Sequence, residues 1–274
     1  MIRLLRYILK RVTSIFLILF FITALLYALI MLTPPETRAE LYMPKNFSPR
    51  MTEAQYQHLL EMYIERYHLN DPYPVQYTLW LGNLLQGNWG YSPLLQEDVF
   101  TGITRRTPAT AELTALSILI YLPLGLISGA IAGSRKNKAA DHGFQISAFI
   151  ATSMPPFILA ILMMVFFYIS LGWFAPGRVS TSIGLVLRSE QFRQFTGMLT
   201  VDGLLNGRLD VFWDGIRHLM MPACTLAFAH WATTGRVTRA TMIEELQQDY
   251  ITAAKARGIP RYRVIWRHAL RNAI

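Results

Sequence analysis

Charge is scarce in this sequence, and cysteine is almost absent. Asp, Glu, Lys and Arg make up 16% of the 274 residues, against about 25% in soluble domains. Hydrophobic residues make up 53%, so the composition excludes an ordinary soluble domain and favours a membrane domain. The one cysteine, Cys224, excludes an intrachain disulfide and lies in an apolar run, where it is best interpreted as a small core residue.

The motifs of several enzyme classes are absent too. The sequence contains no G-x-x-x-x-G-K-[ST] phosphate-binding loop, so it cannot bind ATP by that route, and no H-E-x-x-H, C-x-x-C or G-x-S-x-G. The six histidines show no metal-ligand spacing, and we expect no catalytic residue, cofactor or metal. His230 lies inside an apolar run, where a hydrogen bond to a neighbouring carbonyl explains it better than a proton relay.

Four long apolar runs predict transmembrane helices, since about 20 apolar residues cross a bilayer core. We place these helices at residues 12–35, 111–134, 143–177 and 218–240. The first run is longer than the apolar core of a signal peptide and lacks a cleavage site, so we expect a retained span. Gly125 and Gly129 in the second run have a spacing that permits close helix packing. The third run is too long for one straight helix, and Pro155 and Pro156 predict a kinked single span.

The polar segments complete a predicted all-α, polytopic membrane protein. Residues 36–110 form an external helical subdomain with helices over about 52–68 and 74–86, and Thr52 with Gln55 fits a capping box at the first. Thr107 and Pro108 fit the start of the next helix. Residues 178–217 form a second external loop, while 1–11, 135–142 and 241–274 lie on the opposite side of the membrane.

The distribution of basic residues predicts the orientation. The segments 1–11, 135–142 and 236–274 contain 15 of the 26 Lys and Arg residues, and the two long loops contain the other 11. Because Lys and Arg concentrate in short cytoplasmic segments next to spans, we predict that both ends of this chain are cytoplasmic. Basic residues placed beside apolar runs also indicate a membrane partner and no nucleic acid.

The segment 241–274 contains the most basic block of the chain, and it predicts two helices joined by a glycine. Residues 249–257 are rich in alanine, Gly258 suits the left-handed residue that ends a helix, and Pro260 suits the first turn of the next. On the second helix we expect one apolar and one basic face. The apolar face comprises Tyr262, Ile265, Trp266, Ala269 and Leu270, and the basic face Arg263, Arg267 and Arg271.

This tail predicts a docking module. Contact with anionic lipid and docking of a protein explain its second helix equally well. The first helix favours protein docking, because its small residues permit close approach; these are Ala253, Ala254 and Ala256. No uncharged run has an Asp, Glu, Lys or Arg in its interior, whereas ion-coupled carriers usually need an ionisable residue at membrane depth. If the protein is a transporter, we expect its energy to enter through this cytoplasmic module. The alternatives are a membrane-anchored interaction or sensor protein, and a channel or secondary carrier.

Several motifs resemble those of the permeases of ABC importers, especially the dipeptide, oligopeptide and nickel branch. Residues 249–258 (DYITAAKARG) and 267–273 (RHALRNA) resemble the EAA signature of that family. Other segments are similar to the first permease subunit of the branch: 67–72 (YHLNDP), 87–90 (GNWG), 108–113 (PATAEL) and 153–157 (SMPPF). The likeness covers nearly the whole chain.

The resemblance implies a permease in the cytoplasmic (inner) membrane of a bacterium or archaeon, which works by alternating access. Peptides are the default substrates of this branch, and nickel, opines and oligosaccharides are its alternatives. The resemblance also implies four partners: two ATP-binding subunits, a second permease and an extracytoplasmic substrate-binding protein. ATPase coupling would fall on Asp249, Tyr250, Thr252, Ala253, Ala254, Arg257 and Gly258, with Thr252 in place of the signature Glu. The family continues beyond the position of Ile274 with two further spans, so we expect this sequence to be truncated at its C-terminus. The resemblance does not identify substrate-lining residues.

Overall fold

The structure, a computed structural model, describes residues 2–43, 52–92, 94–190 and 192–274. This part of the chain is helical apart from turns and one two-stranded hairpin, which confirms the all-α prediction. The chain divides into two compact units, Met1–Arg105 and Arg106–Ile274. Each unit is built on its own hydrophobic clusters.

The first unit contains four helices and the hairpin. The helices are α1 (Ile2–Ile30), α2 (Pro35–Glu40), α3 (Glu53–Arg66) and α4 (Tyr73–Leu85), and β1 (Tyr91–Ser92) pairs antiparallel with β2 (Glu97–Asp98). The predicted capping box is confirmed: the side chain of Thr52 accepts from the Gln55 backbone N–H, and the Gln55 side chain accepts from the Thr52 N–H. Helices α3 and α4 correspond to the two helices predicted over about 52–68 and 74–86.

Tyrosines and one buried arginine hold the first unit together. The hydroxyl of Tyr73 donates to the Ala24 carbonyl at 2.7 Å, which ties α4 to α1. Arg38 is only 7% exposed, and its guanidinium donates to Gln76 Oε1 at 2.9 Å and to the Leu69 carbonyl at 2.7 Å. A buried guanidinium is costly unless it is hydrogen-bonded, and these two bonds pair both of its Nη atoms. They fix α2 against the start of α4, while Nε has no hydrogen-bond partner among the described residues.

The second unit is arranged around one long helix. Helix α5 (Val99–Ser134) enters it, and α6 (Ala139–Ser153), α7 (Pro156–Met163) and a π-helix (Met164–Ser170) follow. The short α8 (Thr181–Leu187) and α9 (Leu199–Leu205) lead to the long α10 (Leu209–Glu245), which packs against α6, α7, α8 and α9. The chain ends with α11 (Asp249–Ala256), α12 (Arg261–Arg263), a second π-helix (Val264–Ala269) and α13 (Leu270–Ala273).

The start predicted for α5 was wrong. The helix begins at Val99 and runs through Thr107 and Pro108, so Pro108 lies inside it. The hairpin explains the early start, because the Val99 N–H donates to the Gly90 carbonyl at 3.0 Å and the helix follows β2 directly. Pro108 leaves one helical hydrogen bond unmade and packs against Gly197, where an added Cβ would lie 3.1 Å from the proline ring.

Glycines bring α5 and α10 into backbone contact. A Cβ added at Gly125 would lie 2.8 Å from Thr234 Cβ, and one added at Gly129 would lie 2.5 Å from the Gly235 carbonyl oxygen. Gly133, one turn further, would meet Met242 at 2.7 Å. The close packing expected from Gly125 and Gly129 is confirmed, and it extends over a third glycine.

The third apolar run is broken at its prolines. Met154 and Pro155 both have extended backbone (ψ 124° and 134°), as residues before a proline prefer. The helices on either side of this break are bent by 96°. By length and composition, the described residues contain two helices that could cross a membrane, α1 and α5, or three if the bent pair forms one span. The predicted fourth span lies inside α10, which is not among them. The four-span count stays a prediction.

Candidate coupling surface on the C-terminal helices

Helix α11 ends as the sequence predicts, with a left-handed glycine. Gly258 has φ +72°, its N–H donates to the Lys255 carbonyl at 2.9 Å, and the Ile259 N–H donates to the Ala254 carbonyl at 3.2 Å. These two bonds are those of a Schellman motif, which satisfies carbonyls at the end of a helix. A residue with a side chain is disfavoured at this φ, so glycine sets the direction in which the chain leaves α11.

One face of α11 is buried in the second unit. Ile251 is fully buried and Ala254 is 7% exposed, and both pack with Met242 of α10 and Ala130 of α5. We expected Ala254 on the docking surface, but it contacts the core of the protein itself. Helical periodicity explains the difference, since residues three apart such as Ile251 and Ala254 share a face.

The opposite face of α11 is open. Asp249, Tyr250, Thr252 and Ala253 are exposed, as are Lys255 and Ala256. We call coupling surface the exposed residues that the sequence predicted, which are Asp249, Tyr250, Thr252 and Ala253 of α11 and Arg257 and Gly258 directly after it. The surface combines small residues with charge of both signs, and every member was predicted from the sequence. Their role in coupling stays a prediction.

Tyr250 connects the coupling surface to α10. Its hydroxyl donates to the carboxylate of Glu245, in the last turn of α10. Burial, together with this hydrogen bond to Glu245, raises the pKa of Tyr250, while a hydrogen bond with Asn272 acts in the opposite direction. The side chain therefore stays neutral and donating near physiological pH, and it joins α10, α11 and the end of the chain.

The face predicted for the second C-terminal helix was partly wrong. Val264 and Ala269 are the buried residues, whereas Tyr262 and Trp266 are 58% and 41% exposed. The prediction assumed an α-helix throughout, but residues 264–269 form a π-helix, whose hydrogen bonds run between residues five apart. The wider turn brings Val264 and Ala269 to the same side and leaves Trp266 outside the core, while Tyr262 lies in α12, before the π-helix.

A buried ion pair close to this module was not predicted. Asp141 in the first turn of α6 has no exposed surface, and its carboxylate accepts from Nε and Nη2 of Arg239 in α10. The Asn137 backbone N–H donates to the same carboxylate at 2.9 Å. We had interpreted basic residues at the ends of apolar runs only as orienting charges. The signal that could have indicated the pair is Asp141 itself, an acidic residue that directly follows the basic segment 135–138.

A second unpredicted group lies at a cavity of about 240 Å³ between α5, α9 and α10. Glu112 is buried and accepts from the Thr200 N–H at 2.6 Å and from Arg178 at 3.4 Å. His218 also lines the cavity, and its Nδ1 lies 2.8 Å from the Asp214 carbonyl oxygen. The sequence placed Glu112 in a family motif without a role, and the structure identifies it as an anchor for α9.

Two family models together match residues 4–274 of the chain. Residues 110–274 match the family described as "Binding-protein-dependent transport system inner membrane component". Residues 4–114 match the family described as "Binding-prot-dependent transport system membrane comp, N-term", the N-terminal part of such a component. The second match covers the first unit, and the first covers α10 and the coupling surface.

Curated relatives agree with the family match. The chain is 34% identical to the di/tripeptide transport system permease protein DppB of Pseudomonas aeruginosa, over 93% of this chain and 72% of that protein. It is 32% identical to the oligopeptide transport system permease protein AppB of Bacillus subtilis, over 98% of this chain and 75% of that protein. The chain therefore belongs to the family of binding-protein-dependent transport system inner membrane components, as a peptide-type ABC transporter permease that is not itself an enzyme.

Proposed function

We propose that this chain is a permease subunit of an ATP-driven importer of peptides. Substrate crosses by alternating access between this chain and a second permease. ATP is hydrolysed on two separate subunits, one of which docks on the coupling surface. A substrate-binding protein delivers peptides to the external side. The N-terminus and α11 lie on the other, cytoplasmic side, in accordance with the distribution of Lys and Arg. The peptide permeases among the relatives support this substrate class.

The observation that carries the proposal is the two-sided character of α11. Its buried face packs on both α5 and α10 through Ala130 and Met242, while the coupling surface remains exposed. A helix that served only to cap the fold would not need the charged residues Asp249 and Arg257 on an open face beside small ones. A helix that receives a partner needs a buried face that contacts its own fold and an exposed face that the partner can contact.

The test replaces Gly258 with valine in the full-length protein, assembled with its partner subunits in vesicles. A β-branched side chain at φ +72° is strained and redirects the chain after α11, so ATP hydrolysis is expected to proceed without peptide uptake. Gly172→Val is the matched control, because Gly172 also has positive φ (+63°) with open space around it but lies far from α11 in sequence.

Both activities are measured in the same vesicles, with radiolabelled peptide uptake and phosphate release. Normal uptake and normal ATPase stimulation in Gly258→Val would contradict the role of α11. Uptake by the wild-type protein without ATP would instead contradict the importer class. Size-exclusion profiles of both variants check that neither loses uptake by unfolding.

A further inference from the structure

A groove of about 370 Å³ separates the end of α5 from the second C-terminal helix. It is distinct from the coupling surface, which lies on α11. Ile131, Ser134 and Arg135 line one side, and Arg261, Tyr262 and Trp266 line the other. The family match and the proposed coupling leave this groove without a role.

The lining is basic. Among the described residues that line the groove, the charged ones are Arg135 and Arg261, both exposed, and none is a carboxylate. Nη2 of Arg261 donates to the Ser134 carbonyl at 3.1 Å, which holds the guanidinium at the mouth of the groove. A guanidinium has five N–H donors, so most of those of Arg261 remain for an anion with several acceptor oxygens.

The groove also lies at the end of a helix that could span a membrane. Helix α5 is apolar enough to span a bilayer and ends at Ser134, beside the groove. Tyr262 and Trp266 are exposed there, and both residue types concentrate at the boundary between acyl chains and head groups. Ile131 and Ile265 provide an apolar wall next to the arginines.

We propose that this groove binds an anionic phospholipid, with its phosphate on Arg135 and Arg261 and the start of an acyl chain against Ile131 and Ile265. Charge complementarity favours this occupant, because basic pockets beside membrane helices select anionic head groups. The π-helix contributes to the site, since it turns Trp266 out of the core and into the groove.

The test is native mass spectrometry of the full-length complex in detergent, titrated with phosphatidylglycerol or phosphatidylcholine of equal chain length. We expect the first phosphatidylglycerol to bind about tenfold more tightly or better, from two arginines near the surface. The double variant Arg135→Gln/Arg261→Gln loses this preference. The matched control Arg267→Gln/Arg271→Gln removes the same charge from exposed positions outside the lining and keeps it.

Four results would overturn the proposal. One is equal affinity of the wild-type complex for the two lipids, and another is the same loss of preference in both double variants. A third comes from Tyr262→Cys, placed in a background in which Cys224 and any other cysteine of the complex are replaced by serine: crosslinking to a protein segment would identify a protein occupant. Inorganic phosphate that binds as tightly as the lipid would assign the site to free phosphate.

Discussion

Arg239 of α10 donates two hydrogen bonds to the buried carboxylate of Asp141 in α6, and these residues are 98 positions apart in the sequence. Its Nη2 lies 2.8 Å from Asp141 Oδ2. Because Asp141 has no exposed surface, the partner that neutralises it cannot be replaced by water. The pair therefore fixes the register of α6 along α10.

Removal of one partner should be costly. Arg239→Met leaves the Asp141 carboxylate buried and unpaired, so we expect the free energy of unfolding to fall by about 3 kcal/mol or more. The double variant Asp141→Leu/Arg239→Met removes both charges and should recover most of the loss. Thermal unfolding in detergent measures both. Asp210→Asn breaks the exposed pair with Arg208 and should leave the midpoint unchanged.

The glycine contact between α5 and α10 should not tolerate even one methyl group. Gly129→Ala places a Cβ 2.5 Å from the Gly235 carbonyl oxygen, and we expect a loss of about 1–3 kcal/mol from overpacking. Gly143→Ala is the control, since an added Cβ there meets nothing within 4 Å and α6 should gain helix propensity. Equal unfolding midpoints for the two variants would refute the contact.

The buried Arg38 should determine the rigidity of the first unit. Arg38→Met removes the donors to Gln76 and to the Leu69 carbonyl, so each loses a hydrogen bond in a buried site. We expect faster hydrogen exchange in α3 and α4, measured by mass spectrometry. Arg66→Met, on the exposed side of α3, should leave the exchange rates unchanged.

The two faces of α11 should separate stability from coupling. Ile251→Ala opens a cavity at a fully buried site, and we expect a loss of about 2–5 kcal/mol in the free energy of unfolding. Ala253→Arg adds a large side chain at an exposed site, so stability should change by less than about 0.5 kcal/mol. ATP-driven uptake should nevertheless fail, because the partner subunit can no longer approach. Normal uptake by a correctly folded Ala253→Arg protein would argue against docking at this surface.

Local signals predicted much of this fold. The capping box at Thr52, the glycine that ends α11 at Gly258 and the bend at Pro155 each depend on a few neighbouring residues, and the sequence displays those residues directly. The coupling surface was found for the same reason, apart from Ala254. To place Ala254 correctly, one must know which face of α11 is buried, and that depends on the packing of α11 against α5 and α10.

Features that depend on distant residues were missed. Asp141 and Arg239, like Glu112 and the Thr200 N–H, meet only after the chain has folded, and no periodicity relates them. In the loop 178–217 the buried Asp202 accepts from the Thr196 and Gly197 N–H groups, which a composition of mixed charge does not reveal. The exposure of Trp266 was missed because hydrophobic periodicity cannot distinguish a π-turn from an α-turn.

The glycine contact has a mechanical consequence. Where the backbones meet at Gly129 and Gly235, neither residue has a side chain that could absorb a displacement of α5 against α10. The buried face of α11 rests on Ala130 and Met242, one from each of these helices. A displacement of α11 would therefore move α5 and α10 together, as one rigid body.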